Sequence, residues 1–346
     1  MPRVVSFTSP HLAEVIDEAS RPLTGHDVRV RTLFTGISAG TELTAYRGSN
    51  PYLTKRWDDE LRLFVDGAVS REYPLNGWGY EEVGEVVEVG SEVDAVAVGD
   101  RIWGTWGHRS ETVVTEDYLR GRVLAEDADP RIGMYSQIGG IALNVVLDAD
   151  IHIGETVAVF GLGVPGQLVA QLARLNGARV IAVDGVASRR ELAQTLGADV
   201  TLDPTDGQVA ERIRALTGGR GADVCLEVTG NYRALQEAIR SVAYSSRVCA
   251  AGFMQGDGVG LRLGEEFHHN RVQVVSTQIS GVAPALQHRW NRARLDSTAI
   301  SLAVAGRLRV TELISHTFSL EDAPKAFEML DLAPQDDVLQ VVLEVK

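Results

Sequence analysis

Residues 156–190 read TVAVFGLGVPGQLVAQLARLNGARVIAVDGVASRR. The first five are apolar or β-branched and predict a buried strand over 156–160. Gly161, Gly163 and Gly166 follow at G-x-G-x-x-G spacing. A helical pattern then runs over 167–176, with Leu168, Leu172 and Leu175 on one face. A second apolar strand over 179–183 ends at Asp184. Glycines in this spacing are weak evidence alone. Between a strand and a helix, with an acid about 20 residues on, they predict a dinucleotide site.

Each residue has a physical task there. Gly161 permits the tight turn, Gly163 lets backbone approach a pyrophosphate, and Gly166 lets the helix pack against the strand. The helix N-terminus presents unpaired N–H groups and partial positive charge to phosphates. Pro165 is tolerated because the first turn needs no N–H from it. Asp184 would accept the ribose hydroxyls and repel a 2′-phosphate, which favours NAD over NADP. Arg189 and Arg190 pull the other way, since arginine accommodates that phosphate.

The 346 residues suffice for two domains, and 45% apolar with 23% charged residues is a globular balance. A net charge of −14 opposes binding to nucleic acid or an anionic membrane. No stretch has the length of a membrane span, and MPRVVSF lacks a signal-peptide core, so a cytoplasmic location is expected. Cys225 and Cys249 fall inside strand-like runs and read as buried thiols, with no C-x-x-C unit.

Short alternating runs crowd the first 104 residues, among them DVRVRTLFT, YEEVGEVVEVG and VGDRIWG. They predict an antiparallel, partly closed β domain. From about residue 133 the period becomes helical, and strands then alternate with helices through 252. That alternation predicts an α/β fold with a doubly wound parallel sheet. RVQVVST (271–277) adds a strand, 298–310 reads as a helix then a strand, and SLEDAPKAFEML is a helix whose Ser319 caps it. A final strand is expected over 337–345.

The motifs GISAGTE, GYEEVGEVVEVG, VGDRIWG and GLGVPG, Asp184 with Arg189, and the strand ends LEVTG and AAGF resemble the medium-chain dehydrogenase/reductase superfamily along nearly the whole chain. GISAGTE with GYE is also similar to the subgroup around bacteriochlorophyllide a dehydrogenase, which oxidises a hydroxyethyl side chain to acetyl. The resemblance implies a GroES-like catalytic domain, 1–145 with 296–346, and a Rossmann domain, 146–295. It implies cofactor contacts from Gly161, Gly163, Val164, Pro165, Gly166, Asp184, Arg189, Thr229 and Gly252. It also implies a homodimer, or a tetramer built from two, paired near strand 271–277.

The departures from that family's zinc branch are informative. Where the branch has a cysteine, this chain has Ser38 or Ala39; where it has Gly-His-Glu, this chain has Gly79-Tyr80-Glu81. No cysteine precedes Cys225, so the structural-zinc lobe is absent too. Hydroxyls and one carboxylate are poor zinc donors, so no metal is expected. Hydride transfer without zinc needs another proton donor or acceptor at the substrate oxygen. Tyr80 is the candidate, with Glu81 orienting it or acting as base. Thr41 falls where the superfamily has a relay hydroxyl, and Ser38 adjoins it. Trp78, Trp103 and Trp106 could stack a flat substrate or fill the β core, and His108 reads as a turn residue. The expected substrate is a small or medium-sized secondary alcohol or ketone. Alternatives are a zinc-free ene or quinone reductase using NAD(P)H, and a dinucleotide-binding protein without catalysis.

Overall fold

The computed structural model describes residues 1–332 and 338–346. The chain forms two compact units. Of the described residues, one comprises 1–137, 314–332 and 340–346; the other comprises 138–313 with Val338 and Leu339. The main divisions between these units fall at 137/138 and 313/314. Helix Arg292–Val304 goes with the second unit, where Ala299 packs against Gly139 and Asp296 against Gly140. No helix among the described residues is long and apolar enough to cross a membrane.

The second unit is the doubly wound fold. Its six strands lie in the order Val200–Leu202, Arg179–Val183, Thr156–Phe160, Ala222–Glu227, Val242–Ala250, Gln273–Ser276, all parallel. Thr156–Phe160 is buried along its whole length, as a central strand covered on both faces must be. Helix Val164–Leu175 follows it, burying Leu168 and Leu172. Leu175, in the last turn, is exposed rather than on the packed face. The helix stops at Asn176, and Gly177 takes a left-handed φ of 91° after it, the conformation that ends many helices. The order reverses about the first strand, so strand ends carrying Gly161, Asp184, Thr229 and Gly252 gather at one edge, where such sheets bind ligands.

The first unit holds a sheet in the order Ile314–Ser319, Gln340–Glu344, Asp27–Ile37, Glu82–Val89, Arg101–Gly104, with Glu111–Thr115 also paired to Asp27–Ile37. Most neighbours are antiparallel. Ile314–Ser319 and Gln340–Glu344 are parallel, because helix Ala323–Leu332 lies between them in sequence and returns the chain in the same direction. Of the expected final strand, 340–344 forms; Asp337 lies outside the described residues. A smaller sheet of Arg3–Ser9, Leu12–Asp17 and Leu75–Asn76 adds Phe7, which packs edge-on against Tyr46 and Phe327. Trp103 and Trp106 are core residues: both are buried, and Trp106 donates its indole N–H to Thr32 at 2.9 Å.

Candidate active site

In the first unit, the Gly-Ile-Ser and Gly-Tyr-Glu motifs are brought together by strand register. Thr35 lies opposite Glu82, and Gly36 N–H donates to the Glu81 carbonyl at 2.8 Å. The strand Asp27–Ile37 ends at Ser38, which starts helix Ala39–Tyr46. Tyr80, just before strand Glu82–Val89, therefore meets this helix start. Its phenol bonds the Ser38 hydroxyl and reaches Thr41 Oγ1 at 3.3 Å. Three of the four predicted catalytic side chains thus share one polar cluster, and Tyr80 is half-buried. Burial pushes its phenol above its ordinary pKa, with Glu81 adding to the rise; the bonds to Ser38 and Thr41 oppose this only in part. The phenol is a neutral donor in this environment.

Glu81 is fully buried and packs over Gly36 and Gln340. A Cβ at position 36 would lie 2.5 Å from its Oε2, so the motif's glycine is what leaves room for the carboxyl. Neither Glu81 oxygen has a hydrogen-bond partner among the described residues. Burial raises its pKa well above the carboxyl range, and Glu42 and Glu82 raise it further, while Gln340 and Ser38 oppose the rise.

Sequence reasoning missed the residues behind this cluster. His108 sits at a backbone bend, as expected, but its side chain is a completely buried hub. Its Nε2 donates to Glu42 at 2.6 Å, and its Nδ1 lies 2.6 Å from Thr35 Oγ1, whose hydroxyl donates to Glu82 at 3.1 Å. Burial alone would lower the His108 pKa; Glu42 outweighs it and Glu82 assists, so the net direction is up, toward the charged form. Gly79, at φ 142°, makes room, since a Cβ there would meet the ring at 2.8 Å. Isolated polar letters such as Glu42, Glu82 and His108 carry no spacing signal that sequence reading could use.

These donors do not suit zinc. Ser38 and Tyr80 offer hydroxyls, both His108 nitrogens are engaged, and Glu82 accepts from the Trp106 and Glu81 N–H groups. Cys225 and Cys249 lie in the other unit, fully buried; burial pushes Cys225 up and Cys249 to about 12, so both stay thiols. Among the described residues, no group of three or more His, Cys, Asp or Glu could hold a metal ion.

In the second unit, the fingerprint has the expected shape. Gly161 takes φ 94°, and a Cβ there would meet Thr229 at 2.5 Å. A Cβ on Gly166 would lie 2.8 Å from the Gly161 carbonyl carbon and closer still to its oxygen. Gly163, the helix N-cap, is different: a Cβ there would find nothing nearer than Pro165 at 4.0 Å. That open approach, beside the unpaired N–H groups of a helix start that includes Val164 and Pro165, fits a pyrophosphate. Asp184 accepts from the Leu162 and Val186 N–H groups at 2.7 and 2.8 Å. Arg189 donates to the Val338 carbonyl at 2.8 Å. Arg190 pairs with Asp203 at 2.8 Å and donates to the Asp184 carbonyl. Thr229 donates its N–H and its hydroxyl to Glu227, a fully buried acid at the end of strand Ala222–Glu227 that the sequence reading passed over. Gly252 packs against Gly230, where a side chain at 252 would not fit.

Comparisons with known proteins agree with this architecture. Residues 165–294 match the family described as zinc-binding dehydrogenase. D-guloside 3-dehydrogenase of Escherichia coli K12 is 30% identical over 339 residues, covering 96% of this chain and 97% of that protein. L-threonine 3-dehydrogenase of Caldanaerobacter subterraneus subsp. tengcongensis is 27% identical, covering 79% and 84%. The crystal structure of 2R,3R-butanediol dehydrogenase from Bacillus subtilis superposes with a TM-score of 0.80 at 21% identity, covering 99% of each chain.

Proposed function

Because this chain belongs to the zinc-binding dehydrogenase family of the medium-chain dehydrogenase/reductase superfamily, we propose that it is a zinc-independent, NAD(H)-dependent oxidoreductase acting on a secondary alcohol or its ketone. The observation that carries the reading is the Tyr80–Ser38–Thr41 hydroxyl cluster; by resemblance Tyr80 and Ser38 or Ala39 fall at positions of the zinc branch's ligands and Thr41 at its relay hydroxyl. NAD, when bound, accepts or supplies the hydride. Gly161, Gly163, Val164, Pro165 and Gly166 would hold its pyrophosphate, with Thr229 and Gly252 forming the neighbouring strand ends. Asp184 is an anion at the end of the second strand. Both arginines that could offset it are committed to groups of the protein itself, Arg189 to Val338 and Arg190 to Asp203, and this supports NAD over NADP.

The chain's own residues supply the proton chemistry. Tyr80, neutral and hydrogen-bonded, donates to a carbonyl oxygen in the reducing direction, and Ser38 and Thr41 orient its O–H. In the oxidising direction the phenol must first lose its proton, so that rate rises with pH. Glu81, buried beside the cluster with its pKa raised above the ordinary carboxyl value, is the reserve donor. The exposed edge strand Gln273–Ser276 supports a homodimer, or a tetramer of two such pairs, through edge-to-edge pairing.

The substrate class follows the relatives: a sugar-sized molecule with a secondary hydroxyl, such as a glycoside, comes first. A hydroxyethyl group oxidised to acetyl comes second. The test is NADH formation at 340 nm with a panel of glycosides, polyols and hydroxyethyl compounds. Turnover of a secondary alcohol is expected. Turnover of enones or quinones alone would move the chain to the ene/quinone reductases, and no turnover with retained NADH binding would make it a binding protein.

A further inference from the structure

Ser38 opens helix Ala39–Tyr46, yet its hydroxyl caps no helix N–H. It is turned instead to Tyr80. What fixes Ser38 is its own N–H, which donates to Glu42 Oε1 at 2.7 Å. The other Glu42 oxygen is taken by His108 at 2.6 Å, and His108 is braced by Thr35 and, through it, Glu82. Glu42, His108, Thr35 and Glu82 are all fully buried. A buried ion pair is an expensive way to stabilise a fold, because desolvation costs several kcal/mol per ion and apolar packing does as well. It does, however, hold direction, because Glu42 is fixed from both sides.

We propose that the Glu42–His108 ion pair is a positioning device for the reaction, locking the Ser38 backbone so that the Ser38 and Thr41 hydroxyls present to the Tyr80 phenol. The proposal rests on the reading that Tyr80 touches the reacting oxygen. Glu42 and His108 touch no substrate and act only through Ser38. Glu42→Gln keeps the shape but replaces one acceptor oxygen by a donor, so it releases either Ser38 or His108.

The test is a double-mutant cycle on the full chain: Glu42→Gln, Tyr80→Phe and the pair, each checked for fold by circular dichroism. Read kcat, KM for the alcohol and Kd for NADH. Glu42→Gln is expected to lower kcat by about 10- to 100-fold, the scale of a displaced catalytic group, with Kd for NADH unchanged. In the Tyr80→Phe background that loss should vanish, because the group being positioned is gone. A merely structural role would multiply the two losses, and that result overturns the proposal, as does wild-type kcat in Glu42→Gln. If Glu42→Gln does not fold, His108→Gln is read in the same cycle with the same outcomes. Wild-type kcat in Tyr80→Phe overturns the reading beneath the proposal, and the proposal with it; the single variant alone shows which has failed.

Discussion

Gly163 and Gly166 belong to one motif, and the structure predicts opposite consequences for adding the same methyl group. At Gly166, a Cβ would sit 2.8 Å from the Gly161 carbonyl carbon. Carbon atoms prefer at least about 3.5 Å, so helix Val164–Leu175 must move away from the strand by roughly 0.7 Å or more. Overpacking of this kind costs about 1–3 kcal/mol, and the gain in helix propensity on Gly→Ala returns at most about 1 kcal/mol. Because the clash is with backbone, the cost lies at the upper end, about 2–3 kcal/mol, leaving about 1–2 kcal/mol after that gain, so Gly166→Ala should lower the melting temperature by roughly 2–8 °C, at about 2–4 °C per kcal/mol for a unit of this size. Gly163 has open space around its Cβ position and φ −63°, which alanine adopts freely. Gly163→Ala should melt at the wild-type temperature or slightly above, since the unfolded chain loses freedom worth about 0.4–1 kcal/mol. Its methyl group points into the space assigned to the pyrophosphate, so NADH affinity should fall by about 5- to 150-fold, the equivalent of about 1–3 kcal/mol. The assays are differential scanning fluorimetry without cofactor and fluorescence titration with NADH. Wild-type NADH affinity in Gly163→Ala would refute the placement of the pyrophosphate, and an unchanged melt in Gly166→Ala would refute the packing argument.

Asp184→Asn removes the charge but keeps the shape, and should narrow the ratio of NADH to NADPH affinity; tighter NADPH than NADH binding by the unaltered protein would overturn the assignment of NAD. Tyr80→Phe should reduce kcat by about 10²–10⁴-fold, the usual worth of general acid–base catalysis, with NADH affinity intact; a near-normal rate together with a large loss in Thr41→Val or Glu81→Gln would transfer the chemistry to that pair. The folded-state pKa values of Glu81, Glu82 and His108 are all raised. Their contribution to stability is complete below the unfolded values, 4.5 for the glutamates and 6.5 for the histidine, and is lost as pH rises through the folded values. The melting temperature should therefore decline from pH 6 to pH 9, and Glu81→Gln should flatten the decline; a melt that rises over that range contradicts the raised pKa of the buried Glu81.

The dinucleotide unit was legible because its signals are local. The glycine spacing, the strand before it and the acid after it all act within one stretch of backbone, and Gly161 and Gly166 do what that spacing requires. Tyr80, Ser38 and Thr41 were legible by position in two short motifs, but their meeting depends on how Asp27–Ile37 pairs with Glu82–Val89. Glu42, Glu82 and His108 were not legible for the same reason: His108 lies 66 residues from Glu42 and 73 from Thr35, and only long-range register closes those distances. Trp103 and Trp106 could not be sorted between core and substrate pocket until the sheet showed them buried. Helical periodicity does not say which core a helix joins, and for Arg292–Val304 only the packing of the second unit does.

Under the proposed function, Tyr80, Ser38 and Thr41, with Glu81 in reserve, do the work of the zinc for which the family is named. The most direct test measures metal and turnover in one sample: elemental analysis of protein prepared with chelator, and the rate of alcohol oxidation by that same protein. Far less than one zinc per chain and an undiminished rate are expected. Near one zinc per chain, with activity lost on chelation and restored by added zinc, would contradict the proposed function.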